Sequence, residues 1–276
     1  MLFERSLPSA LAQRHGNYEI IVVDDCGADE TSSIMEQALK RYPNLSYHKL
    51  LVNRGLSFAR NYGINQARGK YVVCLDDDNE LHQDFLKETL ENIRDYDALA
   101  VGRVIQYKDF ADTVVPGISK LSSIDWGWLI KKQVFNVIHY DENLRANEDT
   151  DFGIQFFKRF RAKQLGTPLT VAYDEFGDSK KSLSFPNERE LMGMILFFKK
   201  NFKEYDDPKE RWCLYRLMAR KFYRGGFRVL GLKYMFNGFL SYKTPRAFLH
   251  FIFLSMGWFF YDIFMTCEEK LSSKLR

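Results

Sequence analysis

An apolar run that ends in three carboxylates constrains this chain more than any other feature. The residues from Tyr71 to Leu75 favour a β-strand and do not alternate with polar ones, which is typical of a strand buried on both faces in a parallel sheet. Asp76, Asp77 and Asp78 follow at once. A buried strand cannot carry adjacent charges inside the sheet, so we expect these acids at its C-terminal end, where open α/β sheets bind ligands. Because close carboxylates repel one another unless they are neutralised, and because oxygen ligands favour Mg²⁺ or Mn²⁺, the stretch predicts a divalent metal site.

A second strand, upstream, ends in the same way. The run from Tyr18 to Val23 is largely apolar and is followed by Asp24 and Asp25. A solvated acidic turn is the alternative explanation for either stretch. Two buried strands that each end in carboxylates within one short domain are better explained by a ligand site.

Length and cysteine usage narrow the class of protein. The 276 residues allow one large α/β domain plus an appendage. The four cysteines show no C-x-x-C spacing, and the five histidines are scattered without the spacing of metal ligands. The sequence therefore predicts neither a disulfide framework nor a zinc site, and a reducing compartment fits.

A third acidic group precedes an apolar helical pattern. Glu148, Asp149 and Asp151 open a predicted helix whose apolar positions include Phe152 and Phe156. Acids at the start of a helix also serve as caps and as partners of the helix dipole, so a structural role is the alternative here.

Taken together, these motifs resemble a family 2 glycosyltransferase of the GT-A fold. The resemblance covers roughly residues 2–172. Any one motif alone is weak, whereas four in this order and spacing are specific. They are Glu19–Asp25, Asn53-x-Gly55 with Ala59–Ile64, Gly69–Asp78, and Glu148-Asp149-x-Asp151.

The resemblance implies an α/β fold with a Rossmann-like mixed sheet and a C-terminal helical appendage. Residues 1–110 would form the half of the GT-A domain that binds the nucleotide-sugar, and residues 111–185 the half that binds the acceptor. Residues 186–276 would form the helical appendage.

The implied reaction transfers a sugar from a nucleotide-diphosphate sugar to a hydroxyl group, with inversion at the anomeric carbon. A saccharide or a lipid-linked molecule would be the acceptor, as in the synthesis of a surface polysaccharide or glycolipid. Asp78, with Asp76, would bind Mn²⁺ or Mg²⁺, which stabilises negative charge on the leaving group. The residues implied to contact the nucleotide are Asp24, Asp25, Asp76, Arg60 and Asn53.

On the acceptor side, the resemblance makes Asp149 the general base and Glu148 its helper. A neighbouring carboxylate favours the raised pKa that such a base needs. Trp126 and Trp128 would offer an aromatic platform for a sugar ring; a core role is the alternative for both.

One departure from the family pattern concerns its usual first strand, which lies centrally in the sheet and lines the nucleotide pocket. Here the sequence predicts a helix over residues 2–13 and no strand before it. We therefore expect a chain with this start to be inactive or poorly folded unless another segment fills the gap.

The C-terminal region is basic and aromatic. Nine Lys or Arg and no acid lie from Arg211 to Arg246. Residues 211–224 place Trp212 and Phe222 on one helical side and arginines on the other, the layout of an interfacial helix on anionic lipid. Residues 248–265 form an apolar run about long enough to reach across a bilayer, and whether it spans or lies on the membrane stays open. We expect attachment to the cytoplasmic face of a membrane and no nucleic-acid partner, because no RNA- or DNA-binding motif is present.

Two alternatives to a transferase stay open. A GT-A-like scaffold could bind a nucleotide-sugar without turnover. A phosphatase of the HAD type also has an apolar strand ending in Asp-x-Asp, but it requires Thr or Val where this chain has Glu80, and it leaves Asp24 and Asp25 unexplained.

Overall fold

The computed structural model describes residues 2–107, 111–114, 124, 126–174, 188–203, 205–257 and 261. The chain divides into two compact units, Met1–Gly177 and Asp178–Arg276, which are described separately below. Strands from residues 98–107 and 129–174 share one sheet of the first unit, and the division into a donor half (1–110) and an acceptor half (111–185) stays a prediction.

The first unit begins with helical turns and a small parallel sheet. A π-helical turn, Leu2–Ser6, runs into α1 (Leu7–Leu11), as the predicted N-terminal helix requires. Strand β1 (Ile20–Asp24) pairs in parallel with β2 (Leu45–Lys49), and no further strand joins this sheet among the described residues. The connecting and following helices are α2 (Thr31–Arg41) and α3 (Leu56–Gln66).

Among the described residues, the larger sheet of this unit has six strands: β3 (Tyr71–Val73), β4 (Glu80–Leu81), β5 (Ala98–Tyr107), β6 (Ala111–Val114), β7 (Leu129–Lys131) and β8 (Ala162–Asp174). Their order is β3-β7-β5-β8-β4, with β6 paired to β5. The longest pairing is parallel, between β5 and β8, and β3 pairs with β7 in the antiparallel direction. Helix α4 (Phe85–Ile93) precedes β5, and α5 (Glu148–Phe157) precedes β8.

The environment of β3 corrects one prediction. We expected a strand inside a parallel sheet, but β3 has one pairing partner in the described part of the chain, and that partner is antiparallel. The prediction that apolar residues cover both faces of this strand is nevertheless confirmed. Val72 and Cys74 pack against one core cluster, whereas Tyr71 and Val73 pack against another. The uninterrupted apolar pattern therefore indicates that both faces of the strand are buried, but it does not indicate the direction of the neighbouring strand.

The second unit consists of helices in its described part: α6 (Glu188–Phe202), α7 (Pro208–Arg224), α8 (Arg228–Ser241) and α9 (Pro245–Met256). Trp212, Met218 and Phe222 of α7 are buried. Helix α8 approaches α7 closely at Gly231 and Gly238, which lie against Tyr223 and Trp212 respectively.

These contacts correct the prediction that residues 211–224 form a lipid-facing helix, because the apolar side of α7 is covered by protein. The predicted apolar run of residues 248–265 falls partly outside the described residues. Its described portion lies in α9, which ends at Met256. Within the part of the chain that the structure describes, no helix combines the length and the apolar character that crossing a bilayer requires.

The close approach of α7 and α8 generates a prediction for Gly231→Ala. A Cβ atom at this position would lie 2.8 Å from the carbonyl oxygen of Ala219 and 2.9 Å from the Cβ atom of Tyr223. Helix propensity alone would favour alanine by about 1 kcal/mol. We expect the steric clash to prevail and to lower the free energy of unfolding by about 1–3 kcal/mol, as measured by urea denaturation followed by circular dichroism. Asn237→Ala, at a partly exposed position of the same helix, serves as the control and should be neutral or stabilising; equal behaviour of the two variants would contradict the packing argument.

Candidate active site

The three aspartates after β3 form a tight turn at the C-terminal end of that strand. The backbone N–H of Asn79 lies 3.4 Å from the carbonyl oxygen of Asp76, and the Asn79 side chain donates to Asp78 Oδ1 at 2.7 Å. Burial raises the pKa of Asp78, and the negative charges of Asp76 and Asp77 raise it further. The folded chain thus holds an Asp78 carboxylate whose charge is poorly compensated by its own neighbours.

Arg60 of α3 joins this turn to the start of α5. Its Nη2 atom lies 3.0 Å from Asp76 Oδ1, and its Nη1 atom lies 3.2 Å from Glu148 Oε1. The Arg60 side chain is only 8% exposed. Burial alone would lower its pKa, but surrounding groups, including Tyr140 and Asp76, hold the pKa above its usual value. The guanidinium therefore stays charged and fixes two predicted site carboxylates in one network.

Helix α5 carries the other predicted acids in its first turn. Asp149 Oδ1 accepts hydrogen bonds from the backbone N–H of Thr150 at 2.7 Å and from its hydroxyl group at 3.3 Å. The carbonyl oxygen of Asp149 also accepts from the N–H of Ile124. Phe152 of the same helix stacks on the ring of Tyr140, with the ring centroids 4.5 Å apart. The core thus holds the N-terminus of α5, and Asp149 with it, in a defined orientation.

The two aspartates at the end of β1 accept hydrogen bonds that shape the neighbouring loops. The Asp25 carboxylate accepts from the backbone N–H groups of Arg54 and Gly55, at 2.7 and 2.6 Å, and the Asn53 side chain donates to the Asp25 carbonyl oxygen. Asp24 accepts from the N–H of Gly27 and from the hydroxyl group of Tyr47, both at 2.6 Å. These bonds give both acids a structural role, and their predicted contact with a nucleotide base stays a prediction.

A cavity of about 510 Å³ lies between the end of β1 and the acidic turn. Apolar walls come from Leu2, Phe3, Val22 and Ile34, and its polar lining includes Asp24, Thr31 and Asp77. A second cavity, of about 330 Å³, is lined by Lys70, Lys131 and Lys132 at the other end of β3. We assign the candidate site to the first cavity because it borders the acids of both strands.

Trp126 and Trp128 are both buried, at 6% and 5% exposure. The guanidinium of Arg103 covers the ring of Trp126 at 4.0 Å, and the ring of Trp128 meets Phe157 edge-on within the core. This geometry gives both indoles a packing role and does not support the predicted sugar platform.

Two further residues lie beside the site: Asn61 belongs to the Ala59–Ile64 motif, whereas Tyr140 lies outside all four motifs. Tyr140 lies against Arg60, 5.3 Å from guanidinium carbon to ring centroid. Asn61 donates to the Tyr140 carbonyl oxygen at 2.9 Å and accepts from its N–H at 3.1 Å. The motif marks Asn61, but no pattern in the sequence points to its partner Tyr140, 79 residues away.

The acidic turn offers the kind of ligand atoms that a hard cation binds. Asp76 and Asp78 supply carboxylate oxygens, which Mg²⁺ and Mn²⁺ prefer. Among the described residues, no three His, Cys, Asp or Glu side chains converge as a complete metal cage. These two carboxylates therefore fit a cation that takes further ligands from a substrate phosphate, as Mg²⁺ commonly does.

Comparison with known proteins assigns the sequence to a family. The family model described as Glycosyl transferase family 2 matches residues 2–165, more than half of the chain. The chain belongs to glycosyltransferase family 2. This confirms the resemblance drawn from the ordered acidic motifs.

Relatives of this family 2 chain match over short stretches. The putative teichuronic acid biosynthesis glycosyltransferase TuaG of Bacillus subtilis (strain 168) is 38% identical over 88 residues, which cover 32% of this chain and 35% of TuaG. The succinoglycan biosynthesis protein ExoO of Rhizobium meliloti (strain 1021) is 40% identical over 87 residues, or 32% of this chain and 24% of ExoO. The matched region thus spans about a third or less of these curated relatives.

The fold has solved counterparts. The structure of S. aureus TarS 1–349 in complex with UDP-GlcNAc superposes with a TM-score of 0.62 at 20% identity, covering 89% of this chain and 78% of that one. A mannosyltransferase from Pyrobaculum calidifontis, solved with GDP-Man and Mn²⁺, gives a TM-score of 0.58 at 14% identity, covering 89% of this chain and 73% of that one. These likenesses confirm the predicted GT-A fold.

The Arg60 network predicts a large loss of stability for Arg60→Met. The substitution leaves Asp76 and Glu148 without the cation that joins them, and breaking a largely buried ion pair in this way costs about 3 kcal/mol. Arg60→Lys keeps the charge but cannot span both carboxylates, so we expect an intermediate loss. Urea denaturation measures both effects. Arg68→Met is the control, because Arg68 is 86% exposed and its pair with Glu19 should contribute less than about 1 kcal/mol; a loss as large as that of Arg60→Met would contradict this prediction.

The raised pKa of Asp78 predicts that Asp78→Asn stabilises the protein without added metal. The folded state binds the Asp78 proton more tightly than the unfolded chain does, so the wild type loses stability as pH rises through the raised pKa. The Asp78→Asn variant has no carboxylate at this position, so it does not lose stability in this way. We therefore expect a higher Tm than wild type at pH 7 and an equal Tm near pH 4, measured by thermal unfolding in EDTA. Asp95→Asn, at an exposed position on the surface, should show no such pH-dependent gain; a Tm of Asp78→Asn below wild type at pH 7 would sink the idea.

Proposed function

We propose that this chain is an inverting, metal-dependent glycosyltransferase that moves a sugar from a nucleotide-diphosphate sugar to a hydroxyl acceptor. The observation on which this proposal depends is the Arg60 network, which joins Asp76 of the acidic turn to Glu148 at the start of α5. The predicted donor-binding and acceptor-activating carboxylates are therefore neighbours in one unit. Membership of family 2 supports the class of reaction.

On the donor side, the cavity between β1 and Asp77 supports the binding of a nucleotide. Its apolar walls can cover a base, and its polar lining can bond to a ribose. Asp78, with Asp76, would hold a divalent cation, which supplies electrostatic stabilisation of the departing diphosphate. Burial, and then the charges of Asp76 and Asp77, raise the pKa of Asp78, and a bound cation would favour the ionised carboxylate against both effects.

On the acceptor side, Asp149 is the better candidate for the general base. Glu148 forms an ion pair with the buried guanidinium of Arg60, whereas the hydrogen bonds from Thr150 to the Asp149 carboxylate both reach one oxygen, Oδ1. In the proposed step, the acceptor oxygen forms a bond to the anomeric carbon while the bond from that carbon to the diphosphate oxygen breaks. The acceptor proton passes to Asp149, and the nucleoside diphosphate leaves. Attack from the face opposite the leaving group inverts the anomeric centre.

The substrates of relatives suggest the biological setting. TuaG is named for teichuronic acid biosynthesis and ExoO for succinoglycan biosynthesis, and the TarS structure contains UDP-GlcNAc. We propose that this chain acts in the synthesis of a bacterial surface polysaccharide or glycolipid, with a saccharide or lipid-linked acceptor. The segment from Arg211 to Arg246, which contains nine Lys or Arg and no acid, supports a place at the cytoplasmic face of a membrane.

A non-catalytic scaffold is the second candidate. The observation that favours it is that the Asp24 and Asp25 carboxylates accept hydrogen bonds from groups of the chain itself, because these bonds give both acids a role that needs no turnover. The glycosyltransferase family model matches the region that contains the acidic motif, so this motif no longer supports a phosphatase of the HAD type.

The deciding experiment measures binding and turnover together. Thermal shifts with UDP-GlcNAc, GDP-mannose and their nucleoside diphosphates, each with Mn²⁺ or EDTA, identify a donor, because a ligand of the native state raises its stability by mass action. With that donor and a panel of saccharide acceptors, we expect release of nucleoside diphosphate. Asp149→Asn should lower kcat by about 10³-fold with little change in donor affinity, and Asp78→Asn should abolish metal-dependent binding.

Asp95→Asn is the control and should behave as wild type in both assays. Metal-dependent binding without turnover by the wild type would favour the scaffold. Absence of any nucleotide-dependent shift would overturn both candidates.

A further inference from the structure

Helices α8 and α9 direct apolar side chains outward. On α8, Val229, Phe236 and Leu240 are exposed at helical spacing, whereas Gly231, Met235 and Gly238 are buried on the opposite side. On α9, the exposed residues Phe248, Leu249 and Met256 lie opposite the buried Ala247, His250 and Leu254. We call the six exposed residues the α8–α9 face: Val229, Phe236, Leu240, Phe248, Leu249 and Met256. A soluble helix normally presents polar residues on this side.

The two exposed stripes meet at an aromatic seam. The ring of Phe236 packs on Phe251 of α9, and the ring of Phe248 packs on Phe239 of α8, with centroid distances of 5.5 and 5.4 Å. Both Phe236 and Phe248 remain nearly half exposed. The α8–α9 face is therefore one continuous apolar surface and not two isolated patches.

The charged residues carried by α8, α9 and the turn between them have a single sign. From Arg211 to Tyr261 the sequence contains no Asp or Glu. Arg228, Lys233, Lys243 and Arg246 are exposed on the two helices and in the turn between them. Lys233 lies within the outward stripe of α8, one turn from both Val229 and Phe236. A long lysine side chain can keep its ammonium group at a polar surface while its methylene groups contact apolar material.

We propose that the α8–α9 face lies on an anionic phospholipid bilayer, with its apolar side chains at the headgroup boundary and its basic residues on the lipid phosphates. This inference rests on the proposed membrane location and names the surface responsible, which is not the α7 surface that the sequence predicted. Apolar area and positive charge are the two determinants of interfacial binding, and this face combines them. A second copy of the chain is a poorer occupant, because a symmetric contact would bring the same cations together.

Partitioning onto sedimented vesicles tests the proposal with the full chain. We compare vesicles of phosphatidylcholine with vesicles that also contain phosphatidylglycerol, and follow the fraction of protein that sediments. The face variant is Leu240→Gln/Leu249→Gln, at leucines that are 47% and 44% exposed. The matched control is Leu39→Gln/Leu196→Gln, at helical leucines that are 37% and 44% exposed elsewhere.

Wild type and control should bind the anionic vesicles alike, and the face variant should bind at least about 10-fold more weakly. Lys233→Gln should weaken binding to anionic vesicles about 5-fold and leave binding to neutral vesicles unchanged. Circular dichroism and thermal unfolding of each variant confirm that the fold is intact.

Each failure has a separate meaning. If wild type does not bind anionic vesicles, the proposed membrane location is wrong, whereas the glycosyltransferase proposal is tested independently by turnover in solution. If wild type binds but the face and control variants bind alike, the α8–α9 face is the wrong surface. A homodimer in light scattering without lipid, dissociated by the face variant, would replace the bilayer with a second copy of the chain.

Discussion

The buried Arg60 guanidinium is the interaction on which the candidate active site depends. It brings together a carboxylate from the end of β3 and one from the start of α5, elements separated by more than 70 residues in the sequence. A buried cation between two acids demands a fixed geometry, because a shift of either partner leaves a charge without compensation in a place from which water is largely excluded. The adjacent Tyr140 ring and the Asn61 hydrogen bonds hold α3 and the approach to α5 in the same positions. The distance between the carboxylate proposed for the donor side and the one proposed for the acceptor side is thus fixed by the core of the fold.

The sequence predicted the acids of this site because each group follows a recognisable local pattern. Asp76 and Asp78 end an apolar strand, and Glu148 and Asp149 open an apolar helix, so their positions on the fold follow from short-range periodicity. The partners of Arg60 could not be predicted in this way, because an ion pair between distant segments leaves no local pattern. The direction of the strand beside β3 was missed for a related reason. Side chains record which faces of a strand are covered, whereas strand direction is a matter of backbone pairing.

The helical unit shows a different limit of sequence patterns. An amphipathic helix has an apolar side, but its sequence does not say whether protein or lipid covers that side. In α7 the covering material is protein, supplied in part by the close approach of two glycines of α8. The indoles of Trp126 and Trp128 illustrate the same limit, since an aromatic ring suits a hydrophobic core as well as it suits a sugar.

The bonds made by Asp25 have a consequence for how this family diverges. Its carboxylate accepts two backbone N–H groups just before α3, and α3 carries Arg60. Selection for correct folding therefore retains Asp25 whether or not a nucleotide is ever bound. A relative that bound no nucleotide would still need this carboxylate, because without it the two N–H groups that lead into α3 lose their acceptor.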